Sequence, residues 1–337
     1  MYTAAIIFRD GVTKVFDVAQ SEKLLDAAFR NGVSLPLDCR EGVCATCRCR
    51  CDSGKIEMEY CDEDALSDGE INGGYILSCQ TTLQSPASFY FDIDSSICNV
   101  ESKSVTAEVS QITAIADSAV MMEVTLKEED KISYLPGQYA HITIPGSDES
   151  RAYSFVNAEV ENGKVNFLLR LLPDGVMSNY LRDRCQIGDQ LQLTLPYGVF
   201  YLREIERPLL LIAGGTGLSA ILSMLEQLAK MDPAALPPIR MLYGVRREED
   251  LCALSQLETY QKLLPDFQFD VILSEGAKEW SGKRGFVVDH IDLDFIKNPF
   301  DLYICGPPGL VSSVESWVAL KEEIAPCNIY FERFVAS

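Results

Sequence analysis

The stretch CREGVCATCRCRC, residues 39–51, carries five cysteines. Cys39, Cys44 and Cys47 fit C-x4-C-x2-C, and Cys79 in ILSCQ adds a fourth thiol about thirty residues on, which is one of the [2Fe-2S] ligand spacings. Three thiolates on a tight loop and one from a distant strand let four sulfurs surround two irons. Gly42 and Ala45 suit that loop, since small residues let backbone N–H groups approach the sulfurs and donate to them. Zinc is the competing metal, but it calls for a second C-x2-C knuckle or Cys/His pairs, and the chain has neither.

Cys49 and Cys51 alternate with Arg48 and Arg50, the pattern of a strand leaving the loop with one face inward, so they are expected as small buried residues and not as ligands. Cys61, Cys98, Cys185, Cys252 and Cys327 lack ligand spacing and read the same way. Upstream, TAAIIF, an Asp10-Gly11 turn and TKVFDV predict a β-hairpin. Ser21 is expected to cap a helix with Leu24, Leu25 and Ala28 on one face, ended by Asn31-Gly32. These flanks fit a small β-grasp domain.

A chain of 337 residues predicts two or three domains at roughly 150 residues each. The balance of 29 basic against 50 acidic residues, a net charge of −21, argues against nucleic acid or an anionic membrane as partner. The apolar run from Leu209 to Leu225 is interrupted by GGTG and is too short to span a bilayer. With no signal-peptide pattern at MYTAAIIFRDG, a cytoplasmic location with reduced thiols is expected. Only His141 and His290 occur, neither within two residues of a cysteine, so a Rieske centre or a two-histidine oxygenase iron is not expected in this chain. His141 is expected in a strand and His290 in a loop.

After a polar connection around Asn99 to Ser104 the pattern becomes all-β. VTAEVSQI, VMMEVTL, YAHITI, VNFLLRL and LQLTL predict a small antiparallel barrel. Within it RAYSF offers a cation at Arg151 for a phosphate, a ring at Tyr153 for a flat heterocycle and a hydroxyl at Ser154. In PDGVMSNYL, Gly175, Val176, Met177 and Ser178 open a short helix whose free N–H groups suit a pyrophosphate.

From Leu209 apolar strands alternate with helices, in outline a doubly wound parallel sheet: LLLIA, IRMLYG, FDVILS, DLYICG and NIYFERF are its strands. GGTGLS follows the first strand and precedes a helix with Leu218, Leu222, Leu225 and Leu228 along one side. It is not G-x-G-x-x-G, so it reads either as a tight turn or as a close backbone approach to a nucleotide. ICGPPG places Cys305 at the carboxyl edge of the same sheet.

The order C-x4-C-x2-C…C, R-x-Y-S, G-G-T-G and C-G-P-P along essentially the whole chain resembles the reductase components of bacterial aromatic-ring dioxygenases, those of the benzoate 1,2-dioxygenase type above all. The resemblance implies a multidomain α+β and α/β protein: a plant-type [2Fe-2S] ferredoxin domain at 1–98, an FAD-binding β-barrel at 104–204 and an NADH-binding α/β domain at 205–337. It puts Arg151 on the flavin phosphates, Tyr153 on the isoalloxazine, Ser154 at N5, and the backbone of Gly175 to Ser178 on the pyrophosphate. Gly215, Thr216 and Cys305 lie by the nicotinamide, Glu332 near the reacting rings, and Phe334 on the flavin's other face. Val335, Ala336 and Ser337 follow Phe334, whereas plant reductases end in the aromatic, and Ser219-Ala220 replaces the proline that many relatives carry after GGTG.

The implied function is hydride transfer from NADH to FAD, then single-electron steps through the Cys39/Cys44/Cys47/Cys79 cluster to the Rieske centre of a terminal oxygenase. Plant-type clusters lie near about −400 mV and Rieske centres at roughly −150 mV or above. At ~59 mV per decade that drop favours transfer by about four powers of ten. Arg246 and Arg247 suit a 2′-phosphate while Glu275 suits a ribose diol, and the resemblance tips the choice to NADH. The reductase of a diiron phenol or methane-type monooxygenase shares this domain order, and an iron-sulfur redox sensor is the non-enzymatic alternative. A monomer is expected, because the motifs are complete within one chain.

Overall fold

Alternation in the first apolar stretch sends Ala4, Ile6 and Phe8 of β1 (Tyr2–Phe8) inward, and the chain turns at Asp10-Gly11 into antiparallel β2 (Thr13–Val18), as expected. The computed structural model describes residues 1–100, 102–127, 130–276, 280–321 and 323–334. It divides into two compact units, the first made of Met1–Ser102 with Tyr197–Val199 and the second of the rest of the chain from Lys103.

In the first unit α1 (Leu24–Arg30) buries Leu24, Leu25, Ala27 and Ala28. Ser21 does not cap it. The N-cap is Lys23, with no side-chain cap, because Ser21 takes a left-handed φ of 65° and the Glu22 carboxylate turns back to accept the Ala19 N–H at 2.8 Å. Asn31-Gly32 does end the helix, with Gly32 at a φ of 71°. β3 (Arg48–Ser53), β4 (Ile56–Met58), α2 (Asp68–Asn72), β5 (Tyr75–Leu77), β6 (Thr81–Leu83) and β7 (Ala87–Phe91) follow. The main sheet has the order β2-β1-β7-β3-β5 with β1 and β7 parallel, and α1 packs against β2 and β6: a β-grasp fold. Ser67 and Glu70 form a capping box at α2, and Glu70 also pairs with Arg48 at 2.8 Å.

The second unit begins with β8 (Lys103–Ala116), β9 (Ala119–Leu126), β10 (Tyr139–Thr143), β11 (Ser150–Ser154), β12 (Lys164–Arg170), α3 (Val176–Asp183) and β13 (Gln190–Tyr197). The antiparallel order is β11-β10-β13-β8-β9-β12, and a bridge between Phe155 and Phe167 joins its two outer strands into a barrel. Ala107, Ile142, Phe155, Phe167 and Leu193 fill its interior with no exposure.

β14 (Leu209–Gly214), α4 (Leu218–Ala229), β15 (Ile239–Val245), α5 (Leu254–Leu263), β16 (Phe267–Leu273), β17 (Lys283–Arg284), β18 (Phe300–Gly306), α6 (Pro308–Leu320) and β19 (Cys327–Arg333) complete the unit. The parallel sheet runs β17-β16-β15-β14-β18-β19, so the strand order reverses beside β14. Leu209, Leu211 and Ala213 face α4 and α5, while Leu210 and Ile212 face α6, which buries β14 on both sides. His290 closes a 3₁₀ turn over Val287–His290 and not an open loop, with its Nε2 2.7 Å from the Arg284 carbonyl.

Side-chain ties join barrel and parallel sheet. Lys230, the C-cap of α4, meets Glu159 across the join and Glu226 of its own helix at 2.9 Å each, and Glu226 accepts the Ala158 N–H at 3.1 Å. Ser118 donates to Asp250 at 2.7 Å, and the Arg203 N–H donates to the Tyr303 hydroxyl at 3.0 Å. No helix among the described residues is long and apolar enough to cross a membrane.

Candidate functional site

The loop that carries Cys39, Cys44 and Cys47 is shaped by backbone strain, and Cys79 comes to it from the turn between β5 and β6. Arg40, Gly42 and Ala45 all take left-handed φ values, 61°, 83° and 58°, and this turns consecutive N–H groups toward the sulfurs. The thiols associate in two pairs, Cys39 with Cys44 and Cys47 with Cys79. The Cys44 hydrogen bond, aided by the N–H groups of Glu41, Val43 and Cys44, pulls Cys39 down to about 5. The Cys47 hydrogen bond, aided by Gln80 and the Gly42 N–H, pulls Cys79 down to about 7. The same two hydrogen bonds, with burial, push the partner thiols Cys44 and Cys47 up, so in each pair one sulfur donates and the other accepts. Two pairs of thiols suit two irons with two thiolates each, so the four cysteines fit a [2Fe-2S] centre.

The remaining cysteines behave as packing residues. Cys49 is fully inside, whereas Cys51, expected beside it, is only half-buried, its thiol directed at the Ser53 carbonyl 3.4 Å away. Cys252 is buried, and Cys61, Cys98, Cys185 and Cys327 are partly so.

In the barrel, RAYS lies on β11. Arg151 pairs with Glu149 at 2.7 Å and donates to the Ser150 carbonyl at 2.9 Å. Burial raises the Tyr153 phenol, with Arg151 pulling the other way. Ser154 is buried, and its hydroxyl has no hydrogen-bond partner among the described residues. Such a group costs roughly 1–3 kcal/mol if nothing meets it, so it fits a ligand atom, such as a flavin ring nitrogen. Gly175 is the N-cap of α3, and Tyr153 and Val176 pack on the same barrel core. Ser178 accepts the Leu172 N–H at 2.8 Å, so its side chain is committed to the loop and the helix start offers backbone N–H groups only.

At the sheet's reversal point a cleft of about 520 Å³ opens over the carboxyl ends of the strands, with Gly214, Gly215 and Thr216 in its wall. The turn beside it depends on missing side chains. A Cβ on Gly217 would stand 2.3 Å from the Cys305 carbonyl oxygen, and one on Gly214 would stand 2.6 Å from Leu310. These glycines let the turn pack closely on its neighbours, while Gly214 and Gly215 leave backbone in the wall of the cleft. Cys305 is wholly buried on β18, paired in register with Glu332 of β19. Burial, then Glu332, pushes its thiol far up. The Phe334 N–H donates to the Gly306 carbonyl at 2.8 Å, which brings Cys305, Glu332 and Phe334 to one edge, though none of them lines the cleft.

Arg246, Arg247 and Glu275 form one ionic cluster. Arg246 Nε meets Glu275 at 2.6 Å and Arg247 Nε meets its other oxygen at 3.3 Å. The two guanidiniums hold the Glu275 carboxyl below its usual range, the Arg246 hydrogen bond most of all. Sequence gave no reason to select Arg170, Asp250 and Phe286, which also line the cleft. Arg170 ends the otherwise apolar strand VNFLLR and Phe286 is 70% exposed, so a cation after an apolar run was the one available signal.

Three family matches follow one another along the chain: a 2Fe-2S iron-sulfur cluster binding domain at 7–84, an oxidoreductase FAD-binding domain at 106–201 and an oxidoreductase NAD-binding domain at 211–316. The anthranilate 1,2-dioxygenase electron transfer component of Acinetobacter baylyi is 44% identical, covering 100% of this chain and 98% of its own. The toluate 1,2-dioxygenase electron transfer component of Pseudomonas putida is 37% identical over 100% and 99%. Among solved structures, an Amycolatopsis cytochrome P450 reductase superposes with a TM-score of 0.71 at 26% identity, covering 98% of both chains. With three domain matches in succession and relatives aligned over the whole chain, the chain belongs to the family of electron transfer components of aromatic-ring dioxygenases.

Proposed function

We propose that the protein takes hydride from NADH onto FAD and delivers electrons singly through a [2Fe-2S] centre to the Rieske-type terminal oxygenase of a benzoate-type dioxygenase. The observation that carries this reading is the presence, on one chain, of a four-thiol site and a crevice with glycine backbone in its wall, one suited to single electrons and the other to a two-electron donor. FAD, when bound, supplies the conversion between paired and single electrons.

The residues divide the work. Arg151 holds flavin phosphate, Tyr153 covers the isoalloxazine, and the Ser154 hydroxyl meets N5, where its lack of a partner is relieved. The backbone of Gly175, Val176, Met177 and Ser178 carries the pyrophosphate. Gly215 and Thr216 seat the nicotinamide, with Arg170 supplying charge from the barrel side of the cleft. Cys305 and Glu332 set the shape of that edge, and Phe334 takes the flavin's other face. Glu275 engages both nearby arginines, which favours NADH over a 2′-phosphorylated nucleotide. Domains at 1–98, 104–204 and 205–337, a cytoplasmic location and a monomeric state complete the reading.

Anaerobic titration of the purified protein with NADH tests it. A flavin-plus-cluster absorbance spectrum that bleaches is expected, and a colourless protein ends the reading. Ser154→Ala should slow flavin reduction roughly tenfold, the scale of one hydrogen bond, with the cluster spectrum intact. Loss of the cluster in that variant would count against the assignment.

A further inference from the structure

Around the four thiols the protein cover is uneven. Cys47 and Cys79 are buried, while Cys39 and Cys44 on the loop are partly exposed, so the cover is thinnest over residues 39–44. Gly42, in the middle of that loop, is nevertheless buried, because Tyr60 lies on it. A Cβ placed on Gly42 would be 3.0 Å from Tyr60 Cδ1 and 3.1 Å from the Tyr60 carbonyl oxygen. The Gly42 carbonyl accepts the Asp62 N–H at 3.0 Å, and its own N–H holds the Cys79 sulfur. The Tyr60 hydroxyl donates to Asp62 at 3.1 Å, which fixes the ring, yet half of the residue is open to solvent.

We propose that the exposed face of the Tyr60 ring is the contact through which electrons leave the four-cysteine loop, seated against a redox protein that presents a basic rim. This rests on the function proposed above. An amphipathic ring held rigid by its hydroxyl makes a strong interface anchor at little entropic cost. It touches the glycine whose N–H meets a cluster sulfur, so a partner seated there stands one residue from a ligand. Charge selects the occupant. Glu41 and Glu63, close to Tyr60 or Gly42 in the chain, are exposed, while the neighbouring cations Arg40 and Lys23 are already paired with Asp26 and Glu59. A basic face is therefore attracted and an acidic one repelled. The transfer itself moves one electron from the thiolate-held irons to the acceptor's centre, with no bond made or broken and no proton transferred.

The test uses the holoprotein, with basic cytochrome c as the one-electron acceptor, and the variants Tyr60→Ala and Tyr60→Phe. Three quantities are read: the dissociation constant of the oxidised pair by calorimetry at low salt, the rate of NADH-driven cytochrome reduction, and the cluster's midpoint potential. Tyr60→Ala should weaken binding and slow cytochrome reduction about tenfold, the loss of one anchor residue, while bleaching by NADH and the potential stay unchanged. Tyr60→Phe should lie within about twofold of wild type, since the ring remains. Wild-type binding and rate in Tyr60→Ala would overturn the proposal. So would a slower rate accompanied by a shifted potential or a lost cluster, because the ring would then be sealing the centre from water. A wild-type protein that fails to bleach with NADH brings down the functional reading and this one together, whereas normal bleaching with a silent Tyr60→Ala sinks this one alone.

Discussion

The cysteine loop and the nucleotide crevice reach function by opposite means. In the loop, four side chains carry the chemistry and the backbone bends to serve them, with left-handed φ at Arg40, Gly42 and Ala45. In the crevice the backbone carries it, and side chains matter by being absent: Gly214 and Gly217 lie where any Cβ would collide. A loop of the first kind fails when a thiol is removed, and a crevice of the second kind fails when a methyl is added.

The largest effect expected from this contrast is at the loop. Cys79→Ser should abolish the cluster's visible absorbance and lower NADH-driven reduction of cytochrome c by ~100-fold or more, beyond what outer partners of a metal site usually cost. Flavin reduction by NADH should persist. Cys49→Ser, ten residues past Cys39 and buried but outside the ligand pairs, should keep the spectrum. If the two variants behave alike, the division into ligands and packing residues is wrong.

Next comes the crevice. Gly217→Ala must push apart the GGTG turn and the Cys305 carbonyl, a backbone atom that cannot swing away. The expected cost is about 1–3 kcal/mol or somewhat more, seen as a lower thermal midpoint and lost NADH-driven flavin reduction with an intact cluster spectrum. Unchanged melting and turnover would mean that the turn is looser than its contacts imply.

The smallest effect lies where side chains do enter the crevice's business. Glu275→Gln leaves Arg246 and Arg247 without their shared carboxylate, and the KM for NADPH should fall about fivefold relative to that for NADH, the scale of an exposed ion pair. Equal KM values for NADPH in variant and wild type would show that the arginines never reach a 2′-phosphate.

Much of this architecture was legible because it rests on short-range rules. Cysteine spacing, the Asp10-Gly11 hairpin, alternation in the barrel strands and the switch to apolar strands at Leu209 all encode structure locally. Ser21 misled because a residue suited to capping sits two positions too early, and the left-handed turn there spends its conformation on redirecting the chain. The Ser67–Glu70 capping box carried its S-x-x-E signature but lacked the apolar run that normally follows, so the five-residue α2 left little trace. Arg170, Asp250 and Phe286 come to the cleft from three separate places in the chain, and no local pattern announces such a meeting. Orphaned status, as for the Ser154 hydroxyl, is a property of surroundings and has no sequence signature at all.

The Lys230 bridge to Glu159 and Glu226 has a consequence for recombining these proteins. It ties the helix that follows GGTG to the turn between the barrel's fourth and fifth strands. A chimaera that imports a foreign nucleotide sheet would keep Glu159 on the barrel but lose Lys230 and Glu226, and would have to restore a cation at position 230 to keep that tie.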